Sequence, residues 1–217
     1  MEQSYAPYLD PLPEVKTWVD LGCNAGLFSL YLENWARERG WAGPRKALLV
    51  DANRYALRSV RTSIDLNHFR ESFHVAEAAV GPKTGYIDFF ESKSTYKSSV
   101  FKLASKERSR RVPVVDLAAA SRFLGPRIDL VKADIEGGEK LLLENWGNWL
   151  KSANHLIIEW HEPYMKGREL DRLCAQLGFR LVVAKPPDYL KKETCPALDL
   201  PIGSGLWANQ HMEQKSA

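Results

Sequence analysis

The sequence contains few cysteines and no long apolar run. These two features argue against a disulfide-rich or zinc-binding protein and against a membrane-spanning one. Its three cysteines, Cys23, Cys174 and Cys195, are widely spaced and form no paired motif. This argues against a disulfide framework or a zinc knuckle and is typical of a reducing compartment. No apolar run approaches the ~20 residues needed to span a bilayer, and residues 1–13 show no cationic and then apolar signal segment. We therefore expect a cytoplasmic protein with no membrane partner.

An excess of charge of one sign is also absent. The 30 basic and 27 acidic side chains give a formal net charge of +3, which neither requires nor excludes an anionic partner. The one local basic run, residues 102–111, offers a phosphate contact, although such runs are usually solvated faces. The hydrophobic fraction of 45% in 217 residues is sufficient for a single core, so we expect one domain.

What the sequence does contain is an alternation of strand-like and helix-like segments. The strand-like runs are 17–20, 47–51, 73–76, 128–133, 155–160, 180–184 and 206–209, and helical spacing occupies 27–39, 55–67, 139–150 and 169–177. Such alternation predicts an α/β fold with a mostly parallel sheet covered on both faces. The last two runs flank a proline-rich loop, which indicates a hairpin and therefore an antiparallel last strand.

Residues 84–115 interrupt this alternation. Segments 86–90 and 98–101 are typical of an antiparallel excursion, and long irregular connections are often lids or binding loops. The predicted organisation is an N-terminal extension (1–15), one catalytic domain (16–210) that carries a substrate-capping insertion (84–115), and a C-terminal tail (211–217).

The turn after the first strand is the most informative segment. A short buried strand is followed by a turn with Gly22 and Gly26 and then by a helix. The glycines let the backbone approach a ligand, and unpaired amides at the start of the helix add donors. Asp20, at the end of the strand, would repel a pyrophosphate but suits the sulfonium of S-adenosylmethionine (SAM). The turn therefore favours a methyl donor over a dinucleotide, and it also lacks the third glycine expected of a nicotinamide-dependent oxidoreductase.

Acids and one histidine follow almost every predicted strand. Ligands of open α/β sheets bind beyond the carboxyl ends of the strands, so we expect the site there. The candidate cofactor-binding residues are Asp20, Gly22, Cys23, Asn24, Gly26, Asp51, Ala52, Glu77, Ala78 and Asp134. The candidate catalytic residues are His161, Asp134, Glu159 and Glu136.

Several of these residues also have a purely structural interpretation. Asp51 is placed either to accept hydrogen bonds from both ribose hydroxyls or to cap the helix that follows it. Glu77 lies either near an adenine ring or in solvent. Glu139 is assigned to the favourable end of a helix dipole.

The fourth and fifth predicted strands carry the candidates for chemistry. Asp134 follows a buried strand and would cost free energy if it were left unpaired. Glu159 and His161 are two residues apart on a strand and therefore share a face. Lys132 is expected to face away from Asp134 and is given no chemical role.

Three segments resemble the FkbM family of SAM-dependent methyltransferases, within the class I superfamily. They are residues 19–29, 131–139 and 157–161, and the resemblance extends over roughly residues 15–210. It implies a seven-stranded SAM-binding sheet and, typically, methyl transfer to oxygen on sugars or natural products. Some members of the family methylate nitrogen in peptides. Cys23 stands where alanine is more usual, a small change.

A hydroxyl acceptor requires a base, and His161 is favoured over Asp134 because its ordinary pKa lies near neutrality. In the rival arrangement, Asp134, Glu159 and His161 hold a divalent ion such as magnesium or manganese, which acidifies the hydroxyl. N-methylation of a peptide, RNA methylation and SAM binding without catalysis stay open as alternatives, although we do not expect a nucleic-acid partner. The oligomeric state, a homodimer included, is also open.

Overall fold

The computed structural model describes residues 5–91, 108–162, 164–188 and 202–213. The strands are β1 Thr17–Leu21, β2 Lys46–Asp51, β3 Phe73–Glu77, β4 Gly85–Glu91, β5 Arg108–Val114, β6 Ile128–Ala133, β7 Ala153–His161, β8 Phe179–Asp188 and β9 Ile202–Asn209. The helices are α1 Ala6–Leu9, α2 Leu27–Glu38, α3 Arg54–Leu66, α4 Leu117–Leu124, α5 Glu139–Leu150, α6 Gly167–Gln176 and α7 Gln210–Glu213.

Seven of these strands form one sheet in the order β3-β2-β1-β6-β7-β9-β8. All neighbouring pairs from β3 to β7 are parallel, and β9 runs antiparallel to both of its neighbours, β7 and β8. The predicted α/β fold, with seven strands and an antiparallel last strand, is confirmed. The strand order reverses between β1 and β6, and such a switch point opens a crevice at the carboxyl ends of the strands.

The sheet lies between two layers of helices because apolar side chains cover both of its faces. Along β1, Trp18 belongs to the core on one face and Val19 to the core on the other. The first core is completed by α1, α2 and α3, and the second by α4, α5 and α6. Helix α1 is therefore a packed element, because its Tyr8 and Leu9 are buried.

Helix α3 illustrates how local sequence sets an element. Its buried residues are Ala56, Leu57, Val60 and Ile64, which lie on one face at helical spacing. The helix begins after Asn53, whose side-chain oxygen accepts hydrogen bonds from the amides of Tyr55 and Ala56. Because Asn53 supplies this N-cap, the alternative role of Asp51 as a helix cap is wrong.

The predicted antiparallel excursion is present as a separate two-stranded sheet, in which β4 pairs with β5. Ala79 and Val114 form a single bridge that connects this hairpin with the end of β3. Predicted segment 98–101 and basic positions 102–107 lie outside the described residues. Among the residues that the structure describes, no helix has the length and apolar character that crossing a membrane requires.

Candidate active site

The glycine turn after β1 is clamped between two neighbouring strands. Gly22 and Cys23 donate their amides to the carbonyl of Val50 on β2, at 2.9 and 3.0 Å. Gly22 has a φ of +72°, and a Cβ at this position would lie 1.8 Å from the carbonyl oxygen of Asp134. No side chain with a Cβ fits there, so glycine is required by both conformation and space.

The turn leads directly into α2, whose N-cap is Gly26 with a φ of +77°. Gly26 has no side chain, so the first amides of α2 donate to no cap side chain. Such amides are ready donors for a carboxylate or another anion. Cys23 is buried within the turn, and burial raises the pKa of its thiol well above the usual range.

Asp51, at the carboxyl end of β2, is held by the backbone. Its two carboxylate oxygens accept hydrogen bonds from the amides of Asn24, at 2.8 Å, and Asn53, at 2.7 Å. Burial raises the pKa of Asp51, and these two amides oppose the rise. The carboxylate keeps further lone pairs free of these two amides, so its geometry fits the ribose role.

Glu77 and Ala52 are connected through a residue that sequence reasoning did not select. Arg110, on β5, donates to the Glu77 carboxylate at 2.9 Å and to the Ala52 carbonyl at 2.7 Å. Arg110 lies in the basic run, but nothing in the sequence pattern of the hairpin indicated that its side chain contacts Glu77 and Ala52. It fastens the hairpin to the adenine end of the predicted cofactor crevice, where Ala78 is buried.

Asp20 lies below the turn, fully buried at 0% exposure. Its carboxylate accepts a hydrogen bond from the Ser29 hydroxyl at 2.8 Å, and Trp18 donates its indole N–H to the same hydroxyl at 3.0 Å. A carboxylate without exposure does not touch a ligand in this arrangement. The predicted direct contact between Asp20 and the cofactor is therefore corrected to support of the turn from beneath.

Lys132 forms the link between Asp20 and Asp134. Its ammonium donates to the carbonyl of Gly22 at 3.1 Å and lies 3.4 Å from one carboxylate oxygen of Asp20 and one of Asp134. Burial alone would lower the pKa of Lys132, but Asp134 and Asp20 raise it well above its ordinary value. The prediction that Lys132 faces away from Asp134 is wrong, because residues two apart on a strand share a face.

His161, at the end of β7, is held between two carboxylates. Its Nε2 lies 3.2 Å from Glu136 and its Nδ1 3.3 Å from Glu139. Burial alone would lower the pKa of His161, but the two carboxylates raise it to about 11. His161 is therefore protonated at neutral pH, and the expectation that it acts as a base of near-neutral pKa is corrected.

The turn between β6 and α5 brings these carboxylates to His161. Glu136 has a φ of +51° and Gly137 a φ of +97°, so the chain reverses tightly after Asp134. Glu139 is fully buried, and one of its oxygens accepts the amides of Ile135, at 3.1 Å, and Gly137, at 3.3 Å. Glu139 therefore organises this turn and pairs with His161, in addition to its place at the start of a helix.

Glu159 is half-buried, as Asp134 and Glu136 are, and it has a strongly shifted pKa. Burial and then the nearby charge of Asp134 raise the pKa of Glu159 to about 8, while Lys132 and His161 oppose the rise. The side chain of Asp134 is 25% exposed, and its amide donates to the carbonyl of Leu21 at 3.0 Å. Two carboxyl groups thus lie close together where β6 and β7 end.

The residues that the structure brings close enough to hold a metal ion differ from the candidates named from the sequence. Asp134, Glu136 and His161 each offer a ligand atom, and these atoms lie within 4.8 Å of one another; Glu159 is not in this group. His161 also pairs with Glu136 and Glu139, and a metal would have to displace the proton that those pairs hold on the imidazole. Whether a divalent ion binds here stays open, as it did from the sequence.

Solved methyltransferases share this fold. TrmK of M. capricolum with S-adenosyl-homocysteine aligns at 9% identity and a TM-score of 0.56, over 97% of this chain and 69% of that chain. The FkbM methyltransferase of Methylobacillus flagellatus KT aligns at 12% identity and a TM-score of 0.55, over 90% of this chain and 44% of that one. An rRNA methylase of Streptococcus thermophilus aligns at 10% identity and a TM-score of 0.52, over 95% and 93%. At such identities the likeness shows the fold alone, which is that of class I methyltransferases.

The family follows from the sequence itself. The family model described as the methyltransferase FkbM domain matches residues 20–181, which is most of the chain. The chain belongs to the FkbM methyltransferase family, and it is a SAM-dependent methyltransferase. No curated protein is similar enough in sequence to match it.

Proposed function

We propose that this enzyme transfers the methyl group of SAM to a hydroxyl oxygen of a small molecule such as a sugar or a natural product. The observation that carries the proposal is Glu159, a half-buried carboxyl group with a pKa of about 8. A hydroxyl must lose its proton as the new bond forms, and a base serves best when its pKa lies near the working pH.

The residues around the glycine turn fit the donor. The space that a Cβ of Gly22 would occupy is closed by Asp134, so the backbone itself forms the wall of the crevice. Asp51 is placed to bind the ribose hydroxyls, and nearby acids complement a sulfonium. When bound, SAM supplies an activated methyl group on a positively charged sulfur.

Glu159 is the proposed proton acceptor. With a pKa of about 8, its carboxyl group is largely protonated at neutral pH in the free enzyme. A cation nearby lowers the pKa of a carboxyl group, so a bound donor would favour the carboxylate form of Glu159, which can take the proton of the acceptor hydroxyl.

His161 has a supporting role in this proposal. As an imidazolium, it neutralises Glu136 and Glu139 and so limits the number of uncompensated negative charges beside Glu159. It also fixes the tight turn that follows Asp134. We infer that His161 positions the acids and does not itself exchange a proton during turnover.

The charge of the site favours a neutral hydroxylated acceptor over RNA. Asp134 and Glu136 lie in the turn that follows β6, and carboxylates repel phosphodiesters. Carboxylates also accept hydrogen bonds from sugar hydroxyls. Arg110, the described member of the basic run that reaches the crevice, is occupied by Glu77 and Ala52.

The test compares Glu159→Gln with Glu162→Gln, a half-buried carboxyl group just beyond β7 that has no role in the mechanism. Tritiated-methyl SAM is incubated with a cell extract, which is afterwards separated into a low-molecular-weight fraction and an RNA fraction. We expect Glu159→Gln to reduce transfer by roughly 10²–10⁴-fold, as for loss of a general base, with SAM affinity unchanged and Glu162→Gln fully active. Full transfer by Glu159→Gln would contradict the mechanism, and label confined to RNase-sensitive material would replace the small molecule by RNA.

A further inference from the structure

The N-terminal segment packs against the same sheet face as the proposed base. Tyr8 and Leu9 are buried, and the Tyr8 hydroxyl lies 2.7 Å from the Ser204 hydroxyl on β9. Ser204 is the register partner of Glu159 in the ladder between β7 and β9. Helix α1 is therefore fixed across the end of the sheet at which Glu159 lies.

Tyr5, just before α1, packs against the first turns of α2, directly after the glycine turn. Its ring centroid lies 5.0 Å from that of Phe28, in an edge-to-face arrangement, and 6.2 Å from that of Tyr31. Phe28 is the second residue of α2 and follows the cap, Gly26. The carbonyl of Tyr5 also accepts the amides of Tyr8 and Leu9, so the backbone of Tyr5 is part of the packed segment.

The polar end of Tyr5 lies within the charged part of the site. Burial raises the pKa of Tyr5 to about 12, and its hydroxyl interacts electrostatically with four charged groups, Lys132, Asp134, Asp20 and Glu159. All four residues lie near the ends of β1, β6 and β7 or in the turn that follows β6. The Tyr5 ring thus packs against the first turns of α2, with the charged groups at the ends of β1, β6 and β7 close enough to act on its hydroxyl.

We propose that the aromatic side chain of Tyr5 contacts the sulfonium end of bound SAM and closes the donor site there. The inference rests on the donor site of the proposed function. A half-buried aromatic ring among carboxylates attracts a cation through its electron-rich face. S-adenosylhomocysteine has a neutral sulfur, so Tyr5 contributes more to the binding of SAM than to that of S-adenosylhomocysteine.

The test measures the dissociation constants of SAM and S-adenosylhomocysteine by calorimetry, without any acceptor. Tyr5→Leu retains apolar volume but removes the ring, and we expect it to lower the preference for SAM by about threefold to tenfold, the range of a partly desolvated cation–π contact. Tyr31→Leu is the matched control, because Tyr31 belongs to the same aromatic cluster, and it should leave the preference unchanged. Tyr5→Phe keeps the ring and should also preserve it.

Each result is decisive for Tyr5. An equal loss of affinity for both nucleosides in Tyr5→Leu, or the same change of preference in Tyr31→Leu, would overturn the proposal, since either indicates packing alone. If Tyr5→Phe lost the preference for SAM over S-adenosylhomocysteine, the aromatic ring would not be the group that contacts the sulfonium. The two hypotheses fail separately. If the wild-type protein does not bind SAM, the donor site of the proposed function is wrong. If the wild type binds SAM and Tyr5→Leu has no effect, the role of Tyr5 is rejected and the role of Glu159 is left intact.

Discussion

The two sides of the crevice are built in different ways. The side proposed to bind the ribose, called the ribose side, consists of the turn at residues 22–26, Asp51 and Asn53, and backbone amides fix its carboxylate. The side proposed for methyl transfer, called the transfer side, consists of residues 134–139, Glu159 and His161, where side chains of opposite charge hold one another. Lys132 joins the two sides, because it contacts the Gly22 carbonyl and the carboxylates of Asp20 and Asp134.

This difference shows how one sheet edge performs two tasks. Backbone amides carry no net charge and do not titrate, so they fix the orientation of the Asp51 carboxylate whatever the charge of the neighbouring side chains. The transfer side places several carboxyl groups close together, and burial beside these neighbours raises the pKa values of Glu136 and Glu159. Binding and proton transfer are thereby assigned to separate parts of the crevice, and the following predictions test that division.

The largest effect is expected for Gly22→Ala. The new methyl group would lie 1.8 Å from the Asp134 carbonyl oxygen, so we expect a loss of at least about 4 kcal/mol in the free energy of unfolding, measured in urea. Gly40→Ala is the control, because Gly40 has a φ of +68° but open space around it, and it should cost about 1–2 kcal/mol. Equal losses would show that the turn is not clamped against Asp134.

Removal of the connecting cation should have the next largest effect. Lys132→Met leaves Asp20 buried without its counter-ion, which costs about 3–5 kcal/mol of unfolding free energy. Lys16→Met removes an exposed ion pair with Glu14 and should cost no more than about 1 kcal/mol. If the two variants were equally stable, the buried link between the two sides would have no energetic importance.

The ribose side is tested by Asp51→Asn. The amide has one acceptor oxygen in place of two, so we expect SAM to bind about tenfold more weakly in calorimetry, as for loss of a charge-assisted hydrogen bond. Asp116→Asn, at the N-cap of α4, is the control and should bind SAM normally. Unchanged affinity in Asp51→Asn would remove Asp51 from the donor site.

The transfer side should make stability depend on pH. The pKa of His161 is raised to about 11, so its stabilisation is complete below its ordinary value near 6.5 and is lost as the pH rises toward 11. The raised pKa of Glu159, about 8, acts in the same direction between its ordinary value and pH 8, since the folded state retains the proton. We expect the Tm to fall between pH 6.5 and 10, and to fall less steeply above pH 8 in His161→Gln; identical slopes would contradict the ion-paired imidazolium.

The smallest effect is expected from metal removal. Ion pairing engages His161 in the described structure, so exhaustive treatment with EDTA should leave methyl transfer undiminished. Activity lost with EDTA and restored by magnesium or manganese would show instead that Asp134, Glu136 and His161 form a metal centre.

Features that depend on local periodicity were predictable from the sequence. Strand β6 and helix α5 begin and end at the predicted residues, because apolar runs and helical spacing are local signals. Helix α4 was missed, since its eight residues follow the irregular insertion closely and give a short periodic signal.

The arrangement of charges was less predictable. Residues two apart on a strand share a face, which placed Glu159 beside His161. The same rule places Lys132 beside Asp134, so the contact between Lys132 and Asp134 could have been predicted from the sequence. The pairing of His161 with Glu136 and Glu139 had no signal in the sequence, because it depends on a left-handed Glu136 that turns the chain back toward β7. Nor does a sequence show how deeply a carboxyl group is buried, which sets the pKa of Glu159.

A crystal structure of the complex with S-adenosylhomocysteine tests the division of the crevice most directly. We predict that the ribose hydroxyls bind the Asp51 carboxylate, while the sulfur lies between the glycine turn and Glu159. A sulfur atom outside contact range of that region, or a ribose that leaves Asp51 untouched, would contradict it.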